Sequence, residues 1–245
     1  MEVFTDTPVL CGHRGCGRGV VGDHRENTLG SFRAAAELGL RWVEVDARLS
    51  ADGVLVARHD PDLEDGRLVS ELPAAELDLM RVADLFEALP PEVAIDVDIK
   101  SSLDDALRPR EETTAARVAG LLAAAGERRV LATSFDPAAL LIVRELVPGT
   151  PLGLLTWTRF PLRKAIAAAA HLGVDVVIAN VESFPGIDGI DRSVAVAHEA
   201  GLQVGAWCPT AEQEDALVAA GVDCLVVDEV PEALMRASRG RGPSG

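Results

Sequence analysis

Tyrosine is missing from this 245-residue sequence, and aromatic residues make up only 4% of it. The core therefore cannot rest on stacked rings. It must be built from Val, Leu, Ile and Ala, which suit buried strands wrapped by Ala-rich helices. Long apolar runs are also lacking. None approaches the ~20 residues of a membrane-spanning helix, so no membrane span is expected. The segment Met1–Asp6 has no basic region followed by an apolar stretch, so no secretory leader is expected either. Cysteine is sparse. The spacings of Cys11, Cys16, Cys208 and Cys224 fit no zinc motif. Cys11 and Cys224 lie in strand-like apolar runs and read as buried thiols. These features point to a cytoplasmic protein in a reducing compartment.

Positive charge is scarce too. The 23 Lys and Arg face 39 Asp and Glu, for a formal net charge of -16. A field of that sign repels nucleic acid and anionic membrane surfaces, so neither is an expected partner. It also repels phosphate-bearing small molecules. A phosphate site here needs local positive charge from a cation or from well-placed Arg and Lys.

Eight short apolar runs are present: Val9–Gly12, Trp42–Ala47, Val93–Lys100, Val130–Ser134, Leu152–Trp157, Val174–Asn180, Gln203–Trp207 and Cys224–Asp228. Their length and Val/Ile/Leu content are those of buried parallel strands. Helical apolar spacing fills the intervals, at Thr28–Leu38, Ala83–Leu89, Glu111–Ala125, Ala138–Leu146, Leu162–Leu172, Ser193–Ala200, Ala211–Ala220 and Pro231–Ala237. Gly39, Gly173, Gly201 and Gly221 each follow a helical segment, where a left-handed residue closes the helix. This alternation predicts an α/β fold, a closed (β/α)8 TIM barrel in a single domain over residues 1–237. A doubly wound open sheet is the rival. It would usually have fewer strands, and no Gly-rich phosphate loop in dinucleotide-binding spacing follows the first strand. Residues 238–245, Gly-rich and basic, are expected to be a disordered tail. Pro61–Leu79 reads as a short loop region after the second barrel strand.

The chemistry gathers at predicted strand ends. Side chains alternate along a strand, so Glu44 and Asp46 share one face while Val43 and Val45 take the other. Asp96, Asp98 and Lys100 repeat the pattern in the third strand. Charges on an inward barrel face are costly unless a cation or a partner joins them. Oxygen ligands favour a hard cation such as Mg²⁺ or Ca²⁺. Glu44, Asp46 and Asp98 are thus candidate metal ligands, and Lys100 a candidate phosphate contact. Asp96, a layer deeper, reads as structural and paired to a basic neighbour. His13 and His59 end extended segments beside these carboxylates and suit an acid–base pair. Arg14 offers a fork for phosphate, and Gly15 allows close approach of a ligand. His171 and His198, near helix ends, read as surface residues, and no role follows for His24. The reaction these residues imply is hydrolysis of a phosphate ester.

The ordered set His13-Arg14-Gly15, Glu26-Asn27-Thr28, Glu44-x-Asp46, His59-Asp60-Pro61 and Asp98-x-Lys100 resembles the glycerophosphodiester phosphodiesterase family. Ser134-Phe135-Asp136, Pro151-Leu152-Gly153, Trp207 and the run from Gly221 to Asp228 extend the resemblance over nearly the whole chain. It implies a TIM barrel that hydrolyses glycerophosphodiesters to an alcohol and sn-glycerol 3-phosphate. It implies one divalent cation, Mg²⁺ or Ca²⁺ with Mn²⁺ as a further option, on Glu44, Asp46 and Asp98. It also implies His13 and His59 as the acid–base pair. Glu26, Asn27, Phe135 and Trp207 would contact or surround the substrate.

Four departures stand out. Asp98 replaces the family's Glu, and Arg25 stands where Pro is typical, in a loop that looks long. The segment after His59 is short, which leaves the mouth open to a bulkier, lysophospholipase D-type substrate. Trp207-Cys208-Pro209-Thr210 replaces the family's Trp-Thr-Val-Asn. A non-catalytic phosphate-ligand binding barrel is the alternative that Asp98 and the short lid suggest. The sequence gives no indication of oligomeric state.

Overall fold

In the computed structural model, residues 1–184 and 190–240 are described. In chain order the elements are β1 (Val9–Gly12), β2 (Val20–Val21), β3 (His24–Arg25), α1 (Leu29–Glu37), β4 (Trp42–Leu49) and β5 (Leu55–Ala57), then α2 (Val82–Ala88), β6 (Ala94–Ile99), α3 (Thr114–Ala123) and β7 (Val130–Ser134). There follow α4 (Pro137–Leu146), β8 (Leu152–Thr156), α5 (Leu162–Leu172), β9 (Val176–Asn180), α6 (Ile190–Glu199), β10 (Gln203–Trp207), α7 (Ala211–Ala219), β11 (Cys224–Val227) and α8 (Val230–Gly240).

Among the described residues, eight parallel strands form the sequence β1-β11-β10-β9-β8-β7-β6-β4, and β1 pairs with β4 to close the ring. This is the (β/α)8 barrel that the alternating runs predict. Local chemistry sets the helix starts. Thr28 and Thr113 accept hydrogen bonds from Ser31 N and Ala116 N at the heads of α1 and α3. Asp136 does the same for α4, with Pro137 in its first turn. At its far end α5 stops on Gly173, at φ 69°.

The alternation of side chains divides the core in two. Val43, Val45, Ile95, Val97 and Ile99 face outward and pack with Phe32, Leu85 and Val118 from the helices. Trp42, Ala94, Leu131, Val176, Ile178, Cys224 and Val226 face inward. Cys11 and Cys224 are buried free thiols, as their setting predicts. The chain's first residues close the bottom of the barrel, a role with no pattern in the sequence. Phe4 is buried edge-on against Trp42, ring centroids 5.1 Å apart. Gln203 Oε1 accepts hydrogen bonds from the backbone of Val3 and Phe4 at 2.7 and 2.8 Å.

The loop region after the second barrel strand carries short ordered pieces. β5 adds antiparallel to β4, and 3₁₀ turns at Val69–Glu71 and Ala74–Glu76 fold a small satellite core of Val56, Val69 and Leu77. Its apolar residues are too scattered to show a period, which hid it in the sequence. One expectation needs correcting, that a disordered tail starts at residue 238. Helix α8 runs to Gly240, so residues 238–240 are helical. The remainder, 241–245, lies outside the described residues.

Candidate active site

The carboxylates enter the barrel through strand register. Glu44 pairs with Asp96 and Asp46 with Asp98 across β4 and β6, so the two inward ladders meet at matching heights. Oxygen atoms of Glu44, Asp46 and Asp98 lie within 4.8 Å of one another, and all three residues are buried. Glu44 Oε1 and Asp98 Oδ1 have no hydrogen-bond partner. Burial, with the nearby charge of Asp46 and Asp98, holds the Glu44 carboxyl well above the usual range. Burial also raises Asp98, against the pull of Lys100. Orphaned, crowded carboxylate oxygens of this kind fit a hard divalent cation. The shorter Asp98 reaches the cluster.

Lys100 supplies positive charge within the cluster. Its Nζ donates to Asp98 and sits 2.9 Å from Asp46 Oδ1. It also lies 5.5 Å from the centre of the Phe135 ring. Its ammonium is held above its ordinary pKa: burial opposes the charge, and Asp98 and Asp46 outweigh it. Asp46 is pulled low by Lys100 and Arg14, again against burial. Asp96 differs from expectation. Its partner is the Thr133 hydroxyl, 2.7 Å away, and burial pushes its carboxyl up.

Arg14 is tied down by three acids. Its backbone N donates to Glu44 Oε2 at 2.9 Å, Nη1 donates to Glu26 at 2.9 Å, and Nε lies 3.1 Å from Asp46. Asn27 Nδ2 donates to Asp46 Oδ2 at 2.8 Å. Arg14 and Asn27 both adopt φ 54°, and the Asn27 N–H bonds the Arg14 carbonyl at 3.0 Å. Left-handed non-glycine backbone persists only where surrounding contacts enforce it, and it gathers at functional sites. Gly15, at φ 100°, serves packing. A Cβ there would meet the Ser31 hydroxyl of α1 at 2.4 Å, so the close approach it permits is to a helix.

The two histidines line the same cavity as the cluster. His13 Nδ1 hydrogen-bonds Asp228 Oδ1 at 2.6 Å, and its Nε2 lies 4.0 Å from Glu44. Burial opposes ionisation of Asp228, but His13 outweighs it and holds the carboxyl down to about 2. His59 Nδ1 bonds Asp60 at 2.8 Å, and its carbonyl accepts from Arg48 Nε at 2.9 Å. Burial lowers the His59 pKa. Phe135 stacks on Trp157 at 4.4 Å and meets Trp207 edge-on at 6.0 Å. Trp207 is fixed by its indole N–H, which donates to the Thr156 carbonyl at 3.1 Å.

These residues line one cavity of about 1210 Å³ at the C-terminal end of the strands. His13, Arg14, Glu26, Glu44, His59, Asp98, Lys100, Phe135 and Trp207 reach its wall, with Asp46 and Asn27 buried immediately behind. Sequence reasoning missed the partnership of Asp228 with His13. Its signal was available: a carboxylate at the end of the last predicted strand must neighbour the end of the first in a closed barrel. His171 and His198 lie outside this cavity. His171 Nδ1 bonds the Ala167 carbonyl of its own helix, and His198 bonds Asp223 at 2.9 Å.

A mouth that joins an acidic cluster, two carboxylate-partnered histidines and buried cationic groups defines a barrel hydrolase acting on phosphate esters. The glycerophosphoryl diester phosphodiesterase family model matches residues 13–232, and the chain belongs to that family. It is a phosphodiesterase. A Mycobacterium tuberculosis protein named Probable glycerophosphodiester phosphodiesterase 2 is 30% identical over 229 residues, covering 82% of this chain and 81% of its own. A Caldanaerobacter subterraneus glycerophosphodiester phosphodiesterase is 23% identical over 256 residues, covering 96% and 99%. Among solved structures, an Oleispira antarctica phosphodiesterase in complex with the product sn-glycerol-3-phosphate superposes with a TM-score of 0.80 at 24% identity, covering 94% of this chain and 97% of its own.

Proposed function

We propose that the enzyme hydrolyses glycerophosphodiesters to an alcohol and sn-glycerol 3-phosphate, with His13 and His59 as its acid–base pair. The observation that carries this reading is the placement of the two histidines. Each has a carboxylate on Nδ1, which leaves Nε2 as the free nitrogen of the neutral ring. Glu44, Asp46 and Asp98 would hold one divalent cation, Mg²⁺ or Ca²⁺, with Mn²⁺ also suited to oxygen donors. When bound, that ion offsets negative charge on the phosphoryl oxygens.

The chain's own groups do the rest. His13 Nε2 accepts the proton of the attacking hydroxyl, which the substrate's glycerol or a water supplies, and Asp228 stabilises the imidazolium that forms. His59, once protonated on Nε2 from solvent, donates that proton to the leaving oxygen and returns to the neutral ring. Arg14 and Lys100 provide the local positive charge that a phosphate needs inside a chain of net charge -16. Glu26 and Asn27 hold Arg14 and Asp46 in register, and Phe135 and Trp207 wall the leaving-group side.

A second reading, hydrolysis of a lysophospholipid, rests on the rim. Leu103, Leu107 and Trp157 stand 90%, 89% and 67% exposed on the loops after β6 and β8. An acyl chain would cover such side chains. Head-group assays with glycerophosphocholine and lysophosphatidylcholine separate the two readings. Faster turnover of the deacylated substrate supports the first. A strong preference for the lipid, lost in Leu103→Ser/Leu107→Ser, would replace it with the second.

A further inference from the structure

Beside the oxygen cluster the same mouth carries a second ligand set of different chemistry. His13 follows β1, Cys208 follows β10 and Asp228 follows β11, so three neighbouring strands of the ring deliver them to one point. Their Nδ1, Sγ and carboxylate oxygen lie within 4.8 Å of one another. Cys208 Sγ is 3.4 Å from His13 Nδ1, which in turn is 2.6 Å from Asp228 Oδ1. The Cys208 backbone is turned to φ 55° and pinned by its N–H to the Val226 carbonyl at 2.9 Å. All three residues line the cavity.

We propose that His13, Cys208 and Asp228 form a binding site for a thiophilic divalent cation, Zn²⁺ or Cd²⁺, that switches the enzyme off. Tetrahedral zinc with bonds of about 2.3 Å to sulfur and about 2.0 Å to nitrogen and oxygen needs ligand atoms roughly 3.3–3.6 Å apart. The sulfur–nitrogen distance already meets this, and the nitrogen–oxygen pair must open by well under an ångström. Thiolate and imidazole select a soft or borderline ion, whereas Glu44, Asp46 and Asp98 offer only oxygen and select a hard one. The mouth thus sorts two cations by donor type. Cys208 stands where the family pattern has Thr, so the set belongs to this chain's own sequence.

The consequence for His13 follows from its two nitrogens. Now Nδ1–H faces Asp228 and Nε2 carries the lone pair. The cation takes the Nδ1 lone pair, the Nδ1 proton moves to Nε2, and the Cys208 thiol gives up its proton to solvent. One proton leaves per ion bound. His13 then has no lone pair with which to accept a proton, and Asp228 is drawn from imidazole to cation. Nearby charges act in both directions: Glu44 favours the ion, while Arg14 and Arg18 oppose it.

The switch rests on the proposed role of His13 in turnover, but the binding test does not. Cd²⁺ is titrated into the protein with excess Mg²⁺ present, and thiolate-to-metal absorbance and proton release are followed. One equivalent with one proton is expected for the native chain. Cys208→Ser and Cys208→Thr should lose the band. In glycerophosphocholine assays the native rate should fall about a hundredfold, a typical contribution of one acid–base group. Each variant should keep most of its own rate. Protection of Cys208 from alkylation by Cd²⁺, mapped by peptide mass, reads the site in the native chain even if a variant fails to fold. A band that survives in Cys208→Ser, or no Cys208 protection at one equivalent, would overturn the site. Binding as expected with turnover unaffected would overturn the switch alone.

Discussion

At the scale of single residues, the two histidines should separate chemistry from stability. His59→Ala is expected to lower kcat by about 10²–10⁴-fold, the usual contribution of acid–base groups. Its ring is 42% exposed, so thermal unfolding should shift by only about 0.5 kcal/mol. His13→Ala should lose as much activity and about 1 kcal/mol of stability, since Asp228 loses its histidine but keeps the Arg18 N–H. Steady-state kinetics beside thermal melts check both, and parallel loss of folding and rate would mark the histidines as structural. Asp98→Asn removes one charge from the oxygen cluster and should weaken divalent-cation affinity about ten- to a hundredfold by calorimetry. Unchanged affinity would place the cation elsewhere. These residues were legible because a charge on an inward strand position has few bland explanations. Lys100 was legible as a cation but not in its grip on Asp46 and Asp98. Asp228 and Cys208 escaped because their meaning depends on which strand ends meet, a fact of ring closure rather than of spacing.

At the scale of elements, the loop after β6 depends on one side chain. Asp105 accepts from Ser102 N, from Thr114 N and hydroxyl, and from Arg108, so it caps both the 3₁₀ turn Leu103–Ala106 and the entry to α3. Burial opposes its charge, but these bonds hold its carboxyl below the usual range. Its folded pKa is depressed, so its contribution is complete above the unfolded value of about 3.9 and fades as pH falls through the folded one. Asp105→Ala should therefore cost about 1–2 kcal/mol at neutral pH. The deficit should shrink below about pH 4 in denaturation series. A deficit constant with pH would refute the capping role. Element positions were the most readable part of the sequence, because every barrel strand is a short Val/Ile/Leu run. The satellite core after β5 and the N-terminal plug were not, since Val56, Val69, Leu77 and Phe4 gain meaning only through long-range packing.

At the scale of the whole molecule, the barrel encloses carboxylates that repel one another, in a chain already at net charge -16. A cation on Glu44, Asp46 and Asp98 should relieve that repulsion. At a hundredfold excess over Kd it should add about 2.7 kcal/mol to stability, and a chelator should remove the gain. Differential scanning with and without chelator reads this directly. Family membership fixes the phosphodiesterase class, while exposed Leu103 and Leu107 bear on the proposal of which alcohol leaves. The most direct test of the proposed reaction is release of sn-glycerol 3-phosphate from glycerophosphocholine, measured before chelation, after it, and after Mg²⁺, Ca²⁺ or Mn²⁺ is restored. The expected result is release that stops with chelator and returns with the cation. No release with any of the three ions, from this or any other glycerophosphodiester, would contradict it.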